Sequence, residues 1–245
     1  MKTELLKFQP LKNEERRVNI SCNNCKLKCG KKLGFFRRFD DVFINDAVDA
    51  PIYYRVFEEG ETLHHENGLS DSYFVIHQGY VKEMMSTADG GQRITKVIRS
   101  GEISGIEVMG STHHKTTAIA LQEVHACQIP NSVLKRISFE KLELYNEFLN
   151  AWQAIITDSN DWQSHVNFGS AKQRLCGLIK KMQDSEDLSI TTLFSRQDMS
   201  LMLDIKMETI SREMKKLQDE GHLELYDRKT RRYKFNEDSH VSAIF

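Results

Sequence analysis

Hydrophobic and polar residues alternate with a period of two in the middle of the chain, between Pro51 and Pro130. Short runs that mix aromatic and β-branched residues lie at Ser72–His77, Tyr80–Met85 and Arg93–Ile98, with glycine-containing turn signals between them. This alternation indicates strands that bury one face. Because turn signals recur roughly every eight to twelve residues, the pattern predicts a compact antiparallel barrel or sandwich.

The pattern changes to steps of three and four residues over 133–168, which predicts one long helix. A helix of about 28 residues would extend roughly 42 Å, more than packing against its own domain requires. We therefore expect a coiled-coil-like dimer seam, and the interface residues predicted on it are Phe148, Trp152, Ile155, Ile156 and Ser159. Asp158 and Asp161 would repel their own copies across a two-fold axis, making the dimer marginal. A long amphipathic helix on a monomer's surface, with both acids facing solvent, is the alternative.

The last part of the chain, 171–235, alternates helical and strand-like segments and predicts a winged helix-turn-helix. An amphipathic helix comes first, then two helices separated by a short break, then two strands joined by a basic turn. In order, these segments are Lys172–Gln183, Arg196–Leu203, Met207–Gln218, His222–Leu225 and Arg232–Phe235.

The second helix of this motif carries a polar row of Glu208, Ser211, Arg212 and Lys215 at i, i+3, i+4 and i+7. Its apolar side is predicted to hold Met207, Ile210, Met214 and Leu217. An arginine fork matches the guanine edge, a carboxylate accepts from cytosine N4, and a serine hydroxyl suits a thymine edge or a phosphate. The row therefore indicates DNA reading in a major groove. The alternative is a pair between Glu208 and Arg212 on a solvated helix.

Composition narrows the class of protein. With 245 residues the chain has room for two domains, and its net charge of −1 argues against wholesale attraction to nucleic acid, so DNA binding must come from a local basic surface. We expect a cytoplasmic protein without a membrane span, since a signal peptide and a run of eighteen apolar residues are both missing. Motifs of common enzyme sites are also missing, so we expect no enzyme.

Five cysteines in a reducing compartment indicate metal ligands, reactive thiols or core residues. Cys22, Cys25 and Cys29 have the spacing C-x₂-C-x₃-C, which favours zinc or an iron–sulfur cluster. A four-ligand site needs a distant partner, either Cys127 or Cys176. Because Cys176 shares the apolar side of its helix with neighbouring leucine and isoleucine residues, we interpret it as a core residue.

Three segments carry a resemblance to a known family: Glu208–Arg212 (Glu-Thr-Ile-Ser-Arg), Ala120–Pro130 and Met109–His114. They resemble the FNR branch of the CRP/FNR family of transcription regulators. The resemblance implies an α+β chain with an N-terminal, jelly-roll-like antiparallel β-roll as effector domain, a long dimerisation helix and a C-terminal winged helix-turn-helix. The expected divisions are a cysteine-rich segment 1–39, a β-roll 40–131, a dimerisation helix 132–168 and a DNA-binding domain 169–245.

The resemblance also implies a function. Cys22, Cys25, Cys29 and Cys127 would hold a 4Fe–4S cluster that oxygen degrades, although the spacing between Cys25 and Cys29 is shorter than the family commonly has. A homodimer would bind a palindrome of TTGAT-type half-sites, with Arg212 and Glu208 reading the G·C pair and Ser211 the adjacent thymine. RNA polymerase would be a further partner in transcription activation.

Two positions in the DNA-binding motif depart from the family's pattern. Asp204 stands where the turn usually has glycine, and Lys206 stands where serine or threonine normally caps the helix.

A second hypothesis keeps the DNA-binding domain but replaces the cluster by another effector: haem, nitric oxide or a small molecule. The segment 101–107 and the residues 110–117 that follow it contain no arginine, so a cyclic nucleotide would lack its counter-charge. The pairs His64/His65 and His113/His114 suggest haem, but we interpret them as surface histidines.

Overall fold

A computed structural model describes residues 18–19, 53–87, 90–132 and 142–236 of the chain. The described residues fall into two compact units, one within 1–83 and 97–148 and the other within 84–96 and 149–245. Among the described helices, none is both long and apolar enough to cross a membrane.

Short antiparallel strands build a β domain, as the period-two pattern predicts. They are β1 (Val18–Asn19), β2 (Tyr53–Phe57), β3 (Thr62–His64), β4 (Ser72–Gln78), β5 (Val81–Ser86), β6 (Gln92–Ile98), β7 (Ile103–Ser104), β8 (Thr117–Ala120) and β9 (Val124–Pro130), with a 3-10 helix at Ile106–Met109 between β7 and β8. One sheet has the order β1-β2-β9-β4-β7 and a second the order β3-β8-β5-β6. The antiparallel β domain is confirmed.

The core of this β domain explains why these segments are strands. Alternate side chains point inward and are almost fully buried, among them Phe57, Ile76, Val81, Ile98 and Val124. Between β4 and β5 the chain turns at Gly79, which has a φ of 93°. A Cβ at this position would lie 2.4 Å from the carbonyl oxygen of Glu123, so only glycine fits the turn.

Four helices and a small sheet make up the rest of the described chain. They are α1 (Leu142–Val166), α2 (Ala171–Lys181), β10 (Ile190–Thr192), α3 (Arg196–Leu203), α4 (Met207–Asp219), β11 (Leu223–Asp227) and β12 (Arg232–Phe235), and the sheet order is β10-β12-β11. The predicted winged helix-turn-helix is confirmed. The long helix is present from Leu142, whereas 133–141 lie outside the described residues.

Local capping fixes where these helices begin. Ser170 and Gln173 form a capping box at the start of α2, and the Ser195 hydroxyl accepts from the backbone N–H of Asp198 at the start of α3. The close approach of α2 to the end of α1 depends on Gly177, since a Cβ there would lie 1.9 Å from the carbonyl oxygen of His165.

Candidate functional site

The turn between α3 and α4 has a left-handed residue at its centre. Asp204 has φ 53° and ψ 48°, a conformation that asparagine and aspartate tolerate better than other non-glycine residues. Its carboxylate lies 3.0 Å from Nη1 of Arg93, and the Ser200 hydroxyl donates to the carbonyl oxygen of Ile205 at 2.7 Å. Lys206, the N-cap residue of α4, provides no side-chain cap. The turn is held by side chains around it instead.

Helix α4 presents the predicted polar row to solvent. Glu208, Ser211, Arg212 and Lys215 are all exposed. Ile210, Met214 and Leu217 are buried on the opposite side, as predicted, and fix how the helix is rotated. Met207, the first residue of the helix, is 44% exposed, so burial on this side begins at Ile210.

The pair between Glu208 and Arg212, the alternative interpretation of this row, is not found among the described contacts. Arg212 Nε instead lies 3.6 Å from Glu213 Oε1, and the arginine side chain is 69% exposed. Its guanidinium is therefore free to contact a ligand at little cost, since an exposed ion pair contributes little stability.

The basic turn between β11 and β12 is shaped by Asp227. Its carboxylate accepts from the Thr230 hydroxyl at 2.6 Å and from the backbone N–H of Lys229 at 2.8 Å. These bonds, the Thr230 bond above all, lower the pKa of Asp227 below its usual value. Arg228 and Lys229 remain exposed, so the wing presents cationic groups beside α4.

Cys127 lies on β9, the middle strand of the five-stranded sheet. It is partly exposed, on the opposite face from the buried Ala126, and it is opposite Tyr54 on β2 and Val75 on β4. Tyr54 is in turn opposite Val18 on β1. One row across the sheet therefore joins the described amino-terminal strand to Cys127.

His77 lies directly beside this cysteine. A bulge between Ile76 and Gln78 interrupts the β4–β9 register, and the imidazole Nε2 lies 3.0 Å from Cys127 Sγ. The other ring nitrogen, Nδ1, is buried and has no hydrogen-bond partner within the described residues. A buried N–H at Nδ1 would be costly, so the favoured tautomer carries its proton on Nε2 and donates it to the sulfur. No local pattern in the sequence points to this neighbour.

The other three predicted ligands, Cys22, Cys25 and Cys29, lie outside the described residues. Cys176 is fully buried in α2, as predicted, and burial raises the pKa of its thiol to about 11. Of the two candidates for the distant ligand, only Cys127 is accessible.

The predicted seam residues lie along the described part of α1. Ile156 and Ser159 are exposed, and Trp152 and Ile155 are partly buried, whereas the side chain of Phe148 lies outside the described residues. Leu149 and Ile156 are exposed to 48% and 57%.

The expectation that Asp158 repels its own copy across the dimer axis is wrong. Its carboxylate forms an ion pair with Lys181 of α2, so its charge is compensated within the chain. Asp161 is exposed.

A second group of polar side chains is buried in the β unit. His64 and His114 are only 7% and 3% exposed, and their rings stack with centroids 3.9 Å apart. His114 Nδ1 lies 3.0 Å from a carboxylate oxygen of Glu107. Burial, and next the neighbouring His114, lower the pKa of His64 to about 4, so it is neutral near pH 7. The interpretation of both histidines as surface residues is wrong, whereas His65 and His113 are exposed.

Comparison with known proteins gives two family matches: residues 54–141 match the cyclic nucleotide-binding domain and residues 173–234 the Crp-like helix-turn-helix domain. The chain is 25% identical over 174 residues to the fumarate and nitrate reduction regulatory protein of Escherichia coli (strain K12), which covers 68% of this chain and 69% of that protein. It is 24% identical over 180 residues to the transcriptional regulatory protein btr of Bordetella pertussis, covering 71% and 74%. The structure of FixK2 from Bradyrhizobium japonicum has the same fold, with a TM-score of 0.69 and 16% identity over 79% of this chain and 96% of that one.

Proposed function

Since the chain is a transcription regulator of the CRP/FNR type, we propose that it responds to oxygen through a 4Fe–4S cluster and binds a TTGAT-type palindrome as a homodimer. The ligands proposed for the cluster are Cys22, Cys25, Cys29 and Cys127.

The row across the five-stranded sheet carries this proposal. Val18 is opposite Tyr54, and Tyr54 is opposite Cys127. Neighbouring strands lie about 4.8 Å apart, so β1 runs roughly 10 Å from Cys127. Cys22 follows Asn19, the last residue of β1, by three positions, and three residues reach at most about 10 Å. The amino-terminal cysteines therefore begin within reach of the distant fourth ligand.

The chemistry of the donors fits the group. Four thiolates are the usual ligand set of a 4Fe–4S cluster, and an N–H donated to a ligating sulfur tunes the potential of such a centre. Cys127 is partly exposed and His77 directs a ring nitrogen at its sulfur. When bound, the cluster would supply the reaction with oxygen, and these side chains would hold and orient it.

Helix α4 supports the DNA-binding part of the proposal. Its polar row is exposed and its apolar side is buried, so four side chains point away from the domain together. By the resemblance, Arg212 and Glu208 read a G·C pair and Ser211 the next thymine, and the bidentate arginine contact gives most of the discrimination. The exposed wing cations would add contacts to phosphates that do not depend on sequence.

Helix α1 supports a homodimer. Leu149 and Ile156 are half-exposed apolar side chains seven positions apart, the spacing of a coiled-coil seam. A two-fold dimer places two copies of α4 on the two halves of a palindrome.

The proposal is tested by fluorescence anisotropy with a duplex that carries two TTGAT half-sites. We expect oxygen-free wild-type protein to bind this duplex at least tenfold more tightly than a duplex with scrambled half-sites. Exposure to air, or the variant Cys127→Ala, should remove that preference but leave weak, salt-sensitive binding. Equal affinity for the palindrome in all three samples would contradict the oxygen response and leave the DNA-binding function intact.

A further inference from the structure

We propose that His64, Glu107 and His114 form a binding site for a divalent transition-metal ion, separate from the four cysteines. The two imidazoles and the carboxylate offer one ligand atom each, and these three atoms lie within 4.8 Å of one another. Two histidines and one carboxylate on a single face are a known ligand set for iron(II), and zinc accepts the same donors.

Three separate segments supply the ligands. His64 ends β3, Glu107 lies in the 3-10 helix after β7, and His114 precedes β8. Both histidines are more than nine-tenths buried, whereas a histidine without a structural or ligand-binding role is usually more exposed. Gly105 makes room for the second ring, since a Cβ there would lie 3.1 Å from His114 Cε1.

His64 already has the orientation of a metal ligand. Its Nδ1 lies 3.1 Å from the carbonyl oxygen of Thr116 and donates a proton to it. This leaves the lone pair on Nε2, and metal-bound histidines commonly hold their second nitrogen in this way.

The hydrogen bonds around His64 Nε2 are one proton short. Ser104 Oγ lies 3.1 Å from Nε2, but this hydroxyl donates its single proton to a Glu83 carboxylate oxygen at 2.9 Å. Nε2 and Oγ then face each other as two acceptors. A cation near Nε2 satisfies the nitrogen without any change in the Ser104–Glu83 bond.

The pair of His114 and Glu107 has the spacing of two ligands on one ion. Two atoms that lie about 2.1 Å from a metal are separated by roughly 3.0 Å when they meet at a right angle, and by roughly 3.4 Å at the tetrahedral angle that zinc prefers. The distance from His114 Nδ1 to Glu107 Oε1 is 3.0 Å. In the metal-free protein a proton occupies the space between them, and the ion would replace it.

Binding requires one movement. The two rings are nearly parallel, with an angle of 15° between their planes, so their lone pairs do not yet converge. A rotation of the His114 ring would turn its lone pair toward His64, and Glu107, whose side chain is 23% exposed, can move with the ring so that the 3.0 Å separation is kept.

Cobalt(II) is the probe that tests this site in the full chain, because its visible absorption reports the bound ion. The accessible cysteines are first alkylated with iodoacetamide, since cobalt thiolates absorb in the visible as well as in the near ultraviolet. We expect the cluster-free wild-type protein to bind cobalt at a site without thiolate absorption. Glu107→Gln and His64→Gln should weaken this binding at least tenfold.

His65→Gln and His113→Gln are matched controls, since each changes an exposed histidine beside a proposed ligand. We expect both to bind cobalt like the wild type. Glu107→Gln keeps its size at a partly exposed position, and circular dichroism verifies that each variant is folded. Unchanged visible cobalt absorption in folded, alkylated Glu107→Gln would overturn this site and would leave the cluster proposal unaffected. The iron content of Cys127→Ala tests the proposed oxygen sensor and has no bearing on this site.

Discussion

His77 Nε2 lies 3.0 Å from Cys127 Sγ, across the neighbouring strands β4 and β9. The contact places an imidazole N–H on the one proposed cluster ligand that the structure describes. His77 is therefore a second residue of this sheet, besides Cys127, that is placed to influence the proposed cluster.

Replacing His77 tests this contact. His77→Phe removes the N–H donor, and loss of such an outer partner typically weakens metal binding about 10- to 100-fold. We expect anaerobic, cluster-loaded His77→Phe to lose iron to a chelator about tenfold faster than wild type, as measured by absorbance. His77→Gln, which keeps an N–H near the same position, should restore much of the difference. Equal rates in all three proteins would show that the contact has no influence on the metal.

Arg212 should set base preference. Its exposed guanidinium is proposed to bind guanine, and a bidentate contact contributes about 1–3 kcal/mol of discrimination. Arg212→Ala should therefore lose most of its preference between duplexes that differ at the G·C pair, as measured by anisotropy. Gln218→Ala, an exposed residue of α4 outside the polar row, is the control and should bind like wild type. Retained discrimination in Arg212→Ala would contradict the assignment.

Asp204 combines a left-handed backbone with an exposed ion pair. Asp204→Gly relieves the backbone strain but loses the pair with Arg93, and exposed pairs contribute only about 0–1 kcal/mol. We expect its free energy of unfolding to stay within about 1 kcal/mol of wild type, while Asp204→Ala loses more because alanine tolerates the left-handed region poorly. Urea unfolding measures both. If Asp204→Gly were the less stable variant, the ion pair would outweigh the strain.

Gly177 should tolerate no side chain. A Cβ would lie 1.9 Å from the carbonyl oxygen of His165, so α1 and α2 would have to separate. We expect Gly177→Ala to lower the free energy of unfolding by about 3 kcal/mol, the upper end for overpacked sites. Gly110→Ala is the control, because nothing lies within 4 Å of a Cβ there. Similar melting temperatures for the two variants would contradict the close packing.

The Cys176 thiol should be inert in the folded protein. Burial raises its pKa from 9.0 to about 11, so its stabilising contribution is complete below pH 9. Between pH 9 and about 11 the unfolded chain releases this proton and the folded chain keeps it, so the free energy of unfolding should fall as pH rises. We expect iodoacetamide to alkylate Cys127 but not Cys176 in folded, cluster-free protein, as mapped by mass spectrometry. Rapid alkylation of Cys176 would contradict its burial.

Local periodicity was sufficient to predict much of the fold. The helix Arg196–Leu203 has the predicted bounds, and the second helix of the motif differs by one residue at its end. These segments carry their own signals in caps, apolar spacing and turn residues, so neighbouring positions determine them.

The buried histidines could not be predicted from local patterns. His64 and His114 are fifty positions apart, and the antiparallel pairing of β3 with β8 brings their segments together. In each histidine pair one member is buried and the other exposed. The ion pair that compensates the charge of Asp158 likewise depends on how α2, which carries Lys181, packs. The sequence of α1 alone does not specify this packing.

The central claim is that four cysteines, three of them amino-terminal and one on β9, hold an iron–sulfur cluster. Anaerobic purification followed by iron and sulfide analysis tests it most directly. The account predicts a coloured protein with about four iron and four sulfide per chain, both lost in air and in Cys127→Ala. A colourless, iron-poor protein from oxygen-free preparations, or full cluster content in Cys127→Ala, would contradict it.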